Sequence, residues 1–170
     1  MPRNIEIKAR VDSMPELRQR ASALADEGPT EIAQYDTFFH CDRGRLKLRA
    51  FSATRGELIF YRRANESGPK ESFYALSPTV DPDGLREALT LAYGQSGRVI
   101  KQRTLFLVGR TRVHLDRVQD LGDFMELEVV LAEGESSEDG FAEARSLMGK
   151  LGIQESQLIE SAYVDLLAGA

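Results

Sequence analysis

The sequence predicts an α+β fold in which eight antiparallel strands form a closed β-barrel, with a charged lumen and amphipathic helices packed outside. Four segments alternate charged and apolar residues with period two, which is typical of strands. Their charged faces carry mostly Arg and Lys with a few carboxylates, whereas an ordinary exposed strand face carries polar residues of any kind. The connections are short, so most neighbouring strands are expected to pair in antiparallel fashion.

Eight segments have the composition of strands. They cover residues 4–11, 34–40, 45–51, 57–63, 71–77, 98–107, 110–117 and 124–132. Val108-Gly109 is typical of a tight hairpin turn, and Gly122 with Asp120 and Asp123 marks the next turn. Eight antiparallel strands with few edges to spare indicate closure into a barrel.

Amphipathic helices separate some of these strands. The predicted helices cover residues 15–27, 83–93 and 138–151, followed by a short helix at 159–168. Ser13 and Glu16 form a capping-box pattern before the first helix, and Gly94 and Gly152 end the second and third. The helices can bury the apolar strand faces from outside, so the charged faces are expected to point into the lumen. Unpaired buried charges are too unfavourable for such a lumen to be dry and empty.

Length and composition indicate one domain over residues 1–170. The single cysteine, Cys41, allows no internal disulfide, and no run of about 18 apolar residues indicates a membrane helix. The first ten residues are charged and strand-like, unlike a signal peptide, so a soluble cytoplasmic protein is expected. Residues 65–69 and 134–137 are predicted to be loops within the domain. The net charge of −5 argues against nucleic-acid binding.

Basic side chains concentrate in the strand segments, which favours a small anionic ligand in an enclosed site. The basic set consists of Lys8, Arg10, Lys47, Arg49, Arg63, Lys70, Lys101, Arg103, Arg110 and Arg112. Arginine binds phosphate oxygens with two parallel hydrogen bonds, and lysine adds a point charge. Ten candidates exceed the needs of one phosphate and suit a chain of several. Alternatively, these are solvated strand faces paired with Glu and Asp across strands.

The acidic set consists of Glu6, Asp116, Glu126 and Glu128. Carboxylates two residues apart on one strand face lie close enough to share a metal, and Mg²⁺ favours one or two carboxylates together with substrate phosphates. The alternative is pairing with neighbouring arginines. His114 is in phase with the lumen, although a lone histidine is more often structural than catalytic. Glycine-rich phosphate loops and zinc or Ser/His/Asp patterns do not stand out.

Seven short motifs, in this order and spacing, resemble the CYTH superfamily, which groups class IV adenylyl cyclases with thiamine triphosphatases and inorganic triphosphatases. They are residues 4–10 (NIEIKAR), 34–39 (QYDTFF), 44–49 (GRLKLR), 68–72 (GPKES), 101–103 (KQR), 113–116 (VHLD) and 126–128 (ELE). The family fold is an eight-stranded antiparallel tunnel that holds a triphosphate and a divalent metal. Asn4 stands where the family signature has a first Glu.

The resemblance implies roles for individual residues. Phosphates would be bound by Lys8, Lys47, Arg49, Arg63, Lys70, Lys101, Arg103 and Arg112. Glu6, Glu126 and Glu128 would hold Mg²⁺ or Mn²⁺, with Asp116 as a further ligand or a group that orients water. Catalytic roles fall to Lys8, Arg103 and Asp116. The stretch Gly68-Pro69-Lys70-x-Ser72 is most similar to the class IV adenylyl cyclase-like branch.

Three functions remain open at this point. The branch resemblance favours an adenylyl cyclase that converts ATP to cyclic AMP and pyrophosphate. The simpler reaction is hydrolysis of tripolyphosphate or thiamine triphosphate, which needs only an in-line water. The third is a sensor that binds nucleotide or polyphosphate without turnover. This function is considered because Asn4 replaces the first Glu of the signature. A lipid-binding barrel is excluded because the lumen face is charged. The Leu/Phe-rich outer faces would allow a homodimer, and no membrane or nucleic-acid partner is expected.

Overall fold

Eight antiparallel strands close into a barrel in the computed structural model, which describes residues 2–63 and 68–169. The strands are β1 (Arg3–Arg10), β2 (Glu27–Phe39), β3 (Arg45–Ser52), β4 (Arg55–Arg63), β5 (Lys70–Thr79), β6 (Gln95–Val108), β7 (Thr111–Val118) and β8 (Gly122–Val130). The helices are α1 (Met14–Leu24), α2 (Pro82–Tyr93), α3 (Ser137–Lys150) and α4 (Tyr163–Gly169), with a 3₁₀ turn at Glu155–Gln157. Around the barrel the order is β1-β5-β4-β3-β2-β6-β7-β8. The predicted fold class is therefore confirmed.

Most element boundaries agree with the sequence prediction, but the second strand is much longer than expected. Helix α1 ends at Leu24, and β2 begins at Glu27 and pairs with β6 along its whole length. The first part of β2 is exposed on both faces, so it lacks the alternation that reveals a half-buried strand. The predicted loop at 65–69 lies largely outside the described residues.

The hairpin between β6 and β7 turns one residue later than predicted. Val108 pairs with Thr111, so Gly109 and Arg110 form the two-residue turn. Gly109 has a φ of +56°, a conformation that glycine adopts without steric penalty. Arg110 therefore lies in a turn, not on a strand face.

The apolar faces of β1, β7 and β8 lie against helices outside the barrel. Ile5, Ile7, Val113 and Leu127 are completely buried there together with apolar residues of α1 and α3. Gly140 lets α3 approach closely, because a Cβ at this position would lie 2.5 Å from Ile5 Cγ1. Since the apolar side chains face outward into this core, the alternate charged side chains face the lumen.

A second, smaller core closes one end of the barrel. Residues 158–169, called the closing segment below, place Tyr163 and Val164 against Phe38, Val99 and Phe124. This packing needs a glycine on β6, because a Cβ at position 97 would lie 2.4 Å from Val164 Cγ2.

No helix in the described residues is long and apolar enough to cross a membrane. Several large apolar side chains, including Leu91 and Ile100, are exposed on the surface. A homodimer stays a prediction.

Candidate active site

The lumen contains a cavity of about 370 Å³, a volume within the usual range for small-molecule sites. Seven of the ten predicted phosphate ligands line it: Lys8, Lys47, Arg49, Arg63, Lys101, Arg103 and Arg112. Three of the four predicted metal ligands, Glu6, Glu126 and Glu128, line it as well. The period-two pattern thus brings together most of the residues that it singled out.

The other three basic residues have different surroundings. Arg10 is exposed at the end of β1, with its guanidinium 5.3 Å from the ring centre of Phe124. Arg110 pairs with Glu135 and Glu143 outside the barrel, so it does not line the cavity, contrary to the prediction. Lys70 shares the lumen face of β5 but is covered by the closing segment, where Nζ donates to the carbonyl oxygen of Glu160 at 3.0 Å.

Asp36 of β2 organises the cations on one side of the lumen. Its two carboxylate oxygens accept from Nε and Nη2 of Arg49, each at 2.8 Å. Nζ of Lys101 lies at 3.6 Å and Nζ of Lys47 at 3.7 Å from Oδ2. Burial alone would raise the pKa of Asp36, but Arg49, Lys101 and Lys47 hold it well below its usual range. We call Asp36 with these three cations the cation wall.

Asp116 of β7 accepts two hydrogen bonds from Arg103, as Asp36 does from Arg49. Its two oxygens accept from Nε at 2.7 Å and Nη2 at 2.8 Å, and the hydroxyl of Tyr163 donates to Oδ2 at 2.9 Å. Asp116 is completely buried and both of its oxygens are engaged. This placement does not support the prediction of Asp116 as a metal ligand or water-orienting group. It positions Arg103, whose Nη2 also donates to Glu126 Oε2 at 3.2 Å and whose Nη1 is left for other acceptors.

Carboxylates gather on the opposite side of the barrel, where Glu6 of β1 pairs in register with Glu128 of β8. Glu126, Glu128 and His114 place ligand atoms within 4.8 Å of one another. We call Glu6, Glu126, Glu128 and His114 the carboxylate wall. Burial and the charge of Glu128 raise the pKa of Glu6 to about 7. Burial and the charge of Arg103 lower the pKa of His114, so its imidazole is neutral at pH 7.

Cations pair with the carboxylate wall, as in the alternative that the sequence left open: Arg112 Nη2 lies 2.8 Å from Glu128 Oε2, Lys8 Nζ 3.2 Å from Glu126 Oε1 and Arg63 Nη1 3.8 Å from Glu6 Oε2. A divalent metal would bind through the atoms of this region that remain without a hydrogen bond. Three buried polar atoms there have no hydrogen-bond partner among the described residues: Asn4 Oδ1, Glu6 Oε2 and His114 Nδ1. Such orphaned atoms are rare in folded proteins and call for a ligand, an ion or a water. Carboxylate and amide oxygens are the ligands that Mg²⁺ prefers, and imidazole suits transition metals.

The sequence model of the CYTH domain matches residues 2–163, which is nearly the whole chain. The chain belongs to the CYTH family. No curated protein matches the sequence.

Solved structures share the fold of this CYTH protein at low sequence identity. The PH1012 protein of Pyrococcus horikoshii OT3 is 21% identical with a TM-score of 0.84, over 96% of this chain and 98% of that chain. A provisionally named adenylate cyclase of Vibrio parahaemolyticus is 16% identical with a TM-score of 0.75, over 97% of each chain. A provisionally named adenylyl cyclase of Hippeastrum, described as having a dominant triphosphatase activity, is 17% identical with a TM-score of 0.66, over 97% of this chain and 94% of that chain. These likenesses show the fold alone.

The CYTH barrel of this chain is sealed at one end by the closing segment. Lys8 Nζ lies 4.1 Å from the ring centre of Tyr163, a cation–π contact, and 3.2 Å from Glu126 Oε1. Tyr163 thereby links Lys8 to the Asp116–Arg103 pair. The other end of the cavity is lined by Phe51, Tyr74 and Leu76, and Leu76 is 46% exposed. The lumen is therefore reached from the end that carries these apolar side chains.

Sequence reasoning missed two residues that shape this site, Asp36 and Tyr163. Asp36 is in phase with Gln34 and Phe38 on the lumen face of β2. That face mixes one charge with an amide and a ring, so it gave no charged alternation. Tyr163 lies in a short helix whose position against the lumen depends on long-range packing, for which the sequence carries no local signal.

Proposed function

We propose that this CYTH protein is a metal-dependent enzyme that hydrolyses a triphosphate substrate within the barrel. The observation that carries the proposal is the opposition of two charged walls across one cavity. In the strand order, β2 and β3 of the cation wall lie opposite β1 and β8 of the carboxylate wall, whereas Lys101 on β6 and His114 on β7 lie on neighbouring strands. A phosphate chain between the walls would meet arginine and lysine on one side and a metal on the other.

The cation wall and Arg103 would bind the phosphate oxygens. Arg49 and Arg103 are each held by a buried aspartate through two hydrogen bonds, so their remaining donors are fixed in direction before a ligand arrives. Fixed donors aimed at developing charge stabilise a transition state without reorganisation. Lys8, next to Glu126 and Tyr163, would supply a further positive charge at the closed end of the cavity.

Glu6, Glu126 and Glu128 would hold a Mg²⁺ or Mn²⁺ ion, with Asn4 as a neutral oxygen ligand. When bound, this ion would neutralise negative charge on the phosphoryl oxygens, which is the main demand of phosphoryl transfer. Hydrolysis then requires only a water in line with the terminal phosphorus. The dominant triphosphatase activity stated for the Hippeastrum protein agrees with such chemistry on this fold.

Adenylyl cyclisation is the second candidate, and the entrance to the cavity favours it. Phe51, Tyr74 and Leu76 line this end together with Arg55, whose guanidinium lies 4.6 Å from the ring centre of Phe51, and such rings suit the flat face of a base. A cyclase must also direct the ribose 3′-oxygen at the α-phosphorus. The name of the Vibrio protein points to the same reaction.

The deciding experiment measures products from ATP, tripolyphosphate and thiamine triphosphate, each with Mg²⁺ and with Mn²⁺. We expect orthophosphate from at least one substrate and no turnover after chelation of the metal. Glu126→Gln, which removes a carboxylate from the cavity, should lose the activity. Cyclic AMP with pyrophosphate from ATP would establish the cyclase instead. Tight binding of all three without any product would point to a sensor and contradict the proposal.

Catalytic efficiency should fall as the pH rises past about 8. Burial, followed by the charge of Arg103, lowers the pKa of Lys101 to about 8, and burial with Arg63 does the same for Lys70. Above this pH the free protein therefore loses positive charge from Lys101 in the cavity and from Lys70 behind the closing segment. Because kcat/KM reports groups of the free enzyme, kcat/KM for the hydrolysed triphosphate should decline there. A bound anion favours the ammonium form, so kcat should hold to higher pH.

The control for this pH dependence is Lys101→Arg, which stays charged throughout the range. Lys8, Lys47 and Lys70, whose pKa values are also lowered by burial, would still titrate, so the decline should become shallower without disappearing. A profile of kcat/KM that stays flat well above pH 8 would contradict the assignment of Lys101 to phosphate binding.

A further inference from the structure

His114 is the one member of the carboxylate wall with a nitrogen donor. It is 5% exposed, and its Nδ1 has no hydrogen-bond partner among the described residues. Nδ1 lies 3.5 Å from Glu128 Oε1 and 3.9 Å from Glu126 Oε2. A buried nitrogen that points at two carboxylates without bonding to either calls for an explanation.

The two distances from Nδ1 suit a shared cation, and Glu126 Oε2 also accepts from Arg103 Nη2 at 3.2 Å. Metal–ligand bonds of about 2.1 Å place neighbouring ligand atoms about 3 Å apart and opposite ones about 4.2 Å apart. The two distances from Nδ1 fall between these limits. Asn4 Oδ1 is another atom without a hydrogen-bond partner in the same region, since Asn4 Nδ2 lies 3.4 Å from Glu128 Oε2.

We propose that His114 is a direct metal ligand through Nδ1, and that it makes this site prefer Mn²⁺ and other transition ions to Mg²⁺. The inference rests on the proposed metal-dependent function but concerns this chain's own donor set. Mg²⁺ demands oxygen ligands, whereas imidazole binds transition ions well. Asn4 also lowers the preference for Mg²⁺, because its side chain carries no negative charge to attract a hard cation.

The chain offers an unusually clean test because it contains two histidines, His114 and His40. His40 lies on the exposed surface next to Gly94 and serves as an internal control. Protein labelled with ¹⁵N-histidine would be titrated with ¹¹³Cd²⁺, and the imidazole nitrogens followed by NMR. Scalar coupling between ¹¹³Cd and Nδ1 of His114, absent from His40, is the expected result.

Calorimetric titration with Mn²⁺ and with Mg²⁺ tests the preference. His114→Gln replaces the nitrogen donor with an amide oxygen of similar reach. It should weaken Mn²⁺ binding at least about tenfold and change Mg²⁺ binding little. His40→Gln should change neither.

Two results would overturn the inference in different ways. If a divalent ion binds the wild-type protein but leaves the His114 nitrogens and the His114→Gln affinities unchanged, His114 is structural and the proposed function stands. If neither Mn²⁺, Mg²⁺ nor Cd²⁺ binds the wild-type protein, the metal-dependent function fails together with this inference.

Discussion

Replacing Asp36 with Asn is expected to lower the free energy of unfolding by about 3–5 kcal/mol in the absence of phosphate. Asp36 is 1% exposed and is the counterion of three cations, Arg49, Lys47 and Lys101. The amide has nearly the same shape but no charge, so these cations would remain buried beside a neutral group. Urea denaturation at pH 7 measures the loss.

The matched control is Asp83→Asn, which removes a surface ion pair. Asp83 is 72% exposed and lies 2.7 Å from Arg86, so the change should stay within about 1 kcal/mol. The Asp36 variant should also regain stability when tripolyphosphate is added, because an anion replaces the missing charge. Equal unfolding midpoints for Asp36→Asn and the wild type would show that Asp36 does not hold the cation wall.

The ion pairs of Asp36 also predict how the free energy of unfolding depends on pH. The folded-state pKa of Asp36 lies below the unfolded value of about 3.9. Its contribution is therefore complete above that value and is lost progressively as the pH falls below it. The wild type and Asp36→Asn should converge in stability at strongly acidic pH.

Replacing Arg103 with Lys should lower kcat/KM for the hydrolysed triphosphate by about 10²–10³. Lysine keeps the charge that Asp116 and Glu126 need, so the fold should survive. It loses the planar set of donors that Asp116 holds in place, and with it the fixed hydrogen bonds to phosphate. Steady-state kinetics together with a urea midpoint separates the loss of function from a loss of stability.

Arg110→Lys is the control for Arg103→Lys. Arg103 lies on β6 and Arg110 in the turn that follows it, and both pair with carboxylates. Arg110 contacts Glu135 and Glu143 outside the cavity, so its variant should keep full activity. Full activity in Arg103→Lys would contradict phosphate binding in the lumen. Charge reversal at Arg103 is a poorer test, because a glutamate there would face two buried carboxylates and destabilise the fold.

The sequence was most informative where a strand has one charged and one apolar face. Lys47 and Arg49, or Glu126 and Glu128, alternate with apolar residues and therefore reveal both strand and orientation. The same reasoning fails at strand ends: Arg110 has the phase of a lumen residue but occupies the turn. The period-two position of a residue predicts which way its side chain points only if the residue lies within the strand.

The sequence could not predict which side chains would pair across neighbouring strands. Phase and charge made Asp116 a candidate metal ligand with arginine pairing as the alternative, and the resemblance implied a further ligand or a group that orients water. The structure pairs it with Arg103 of β6 instead, and that pairing depends on register across the hairpin. Asp36 was missed for the same reason, because its importance comes from Arg49 on the adjoining strand.

Each wall of the site combines pairings between consecutive strands with pairings between strands distant in sequence, which bears on how the protein folds. Asp36 and Arg49 belong to consecutive strands joined by a short loop, so their pairing is local. Strand β1, in contrast, sits between β5 and β8, which are both distant in sequence. Nonlocal pairings of this kind form slowly, on timescales up to seconds. We therefore expect Asp36 to meet Lys47 and Arg49 early during refolding. Lys101 joins them only when β6 pairs with β2, and Glu6 meets Glu128 only when β1 closes the barrel.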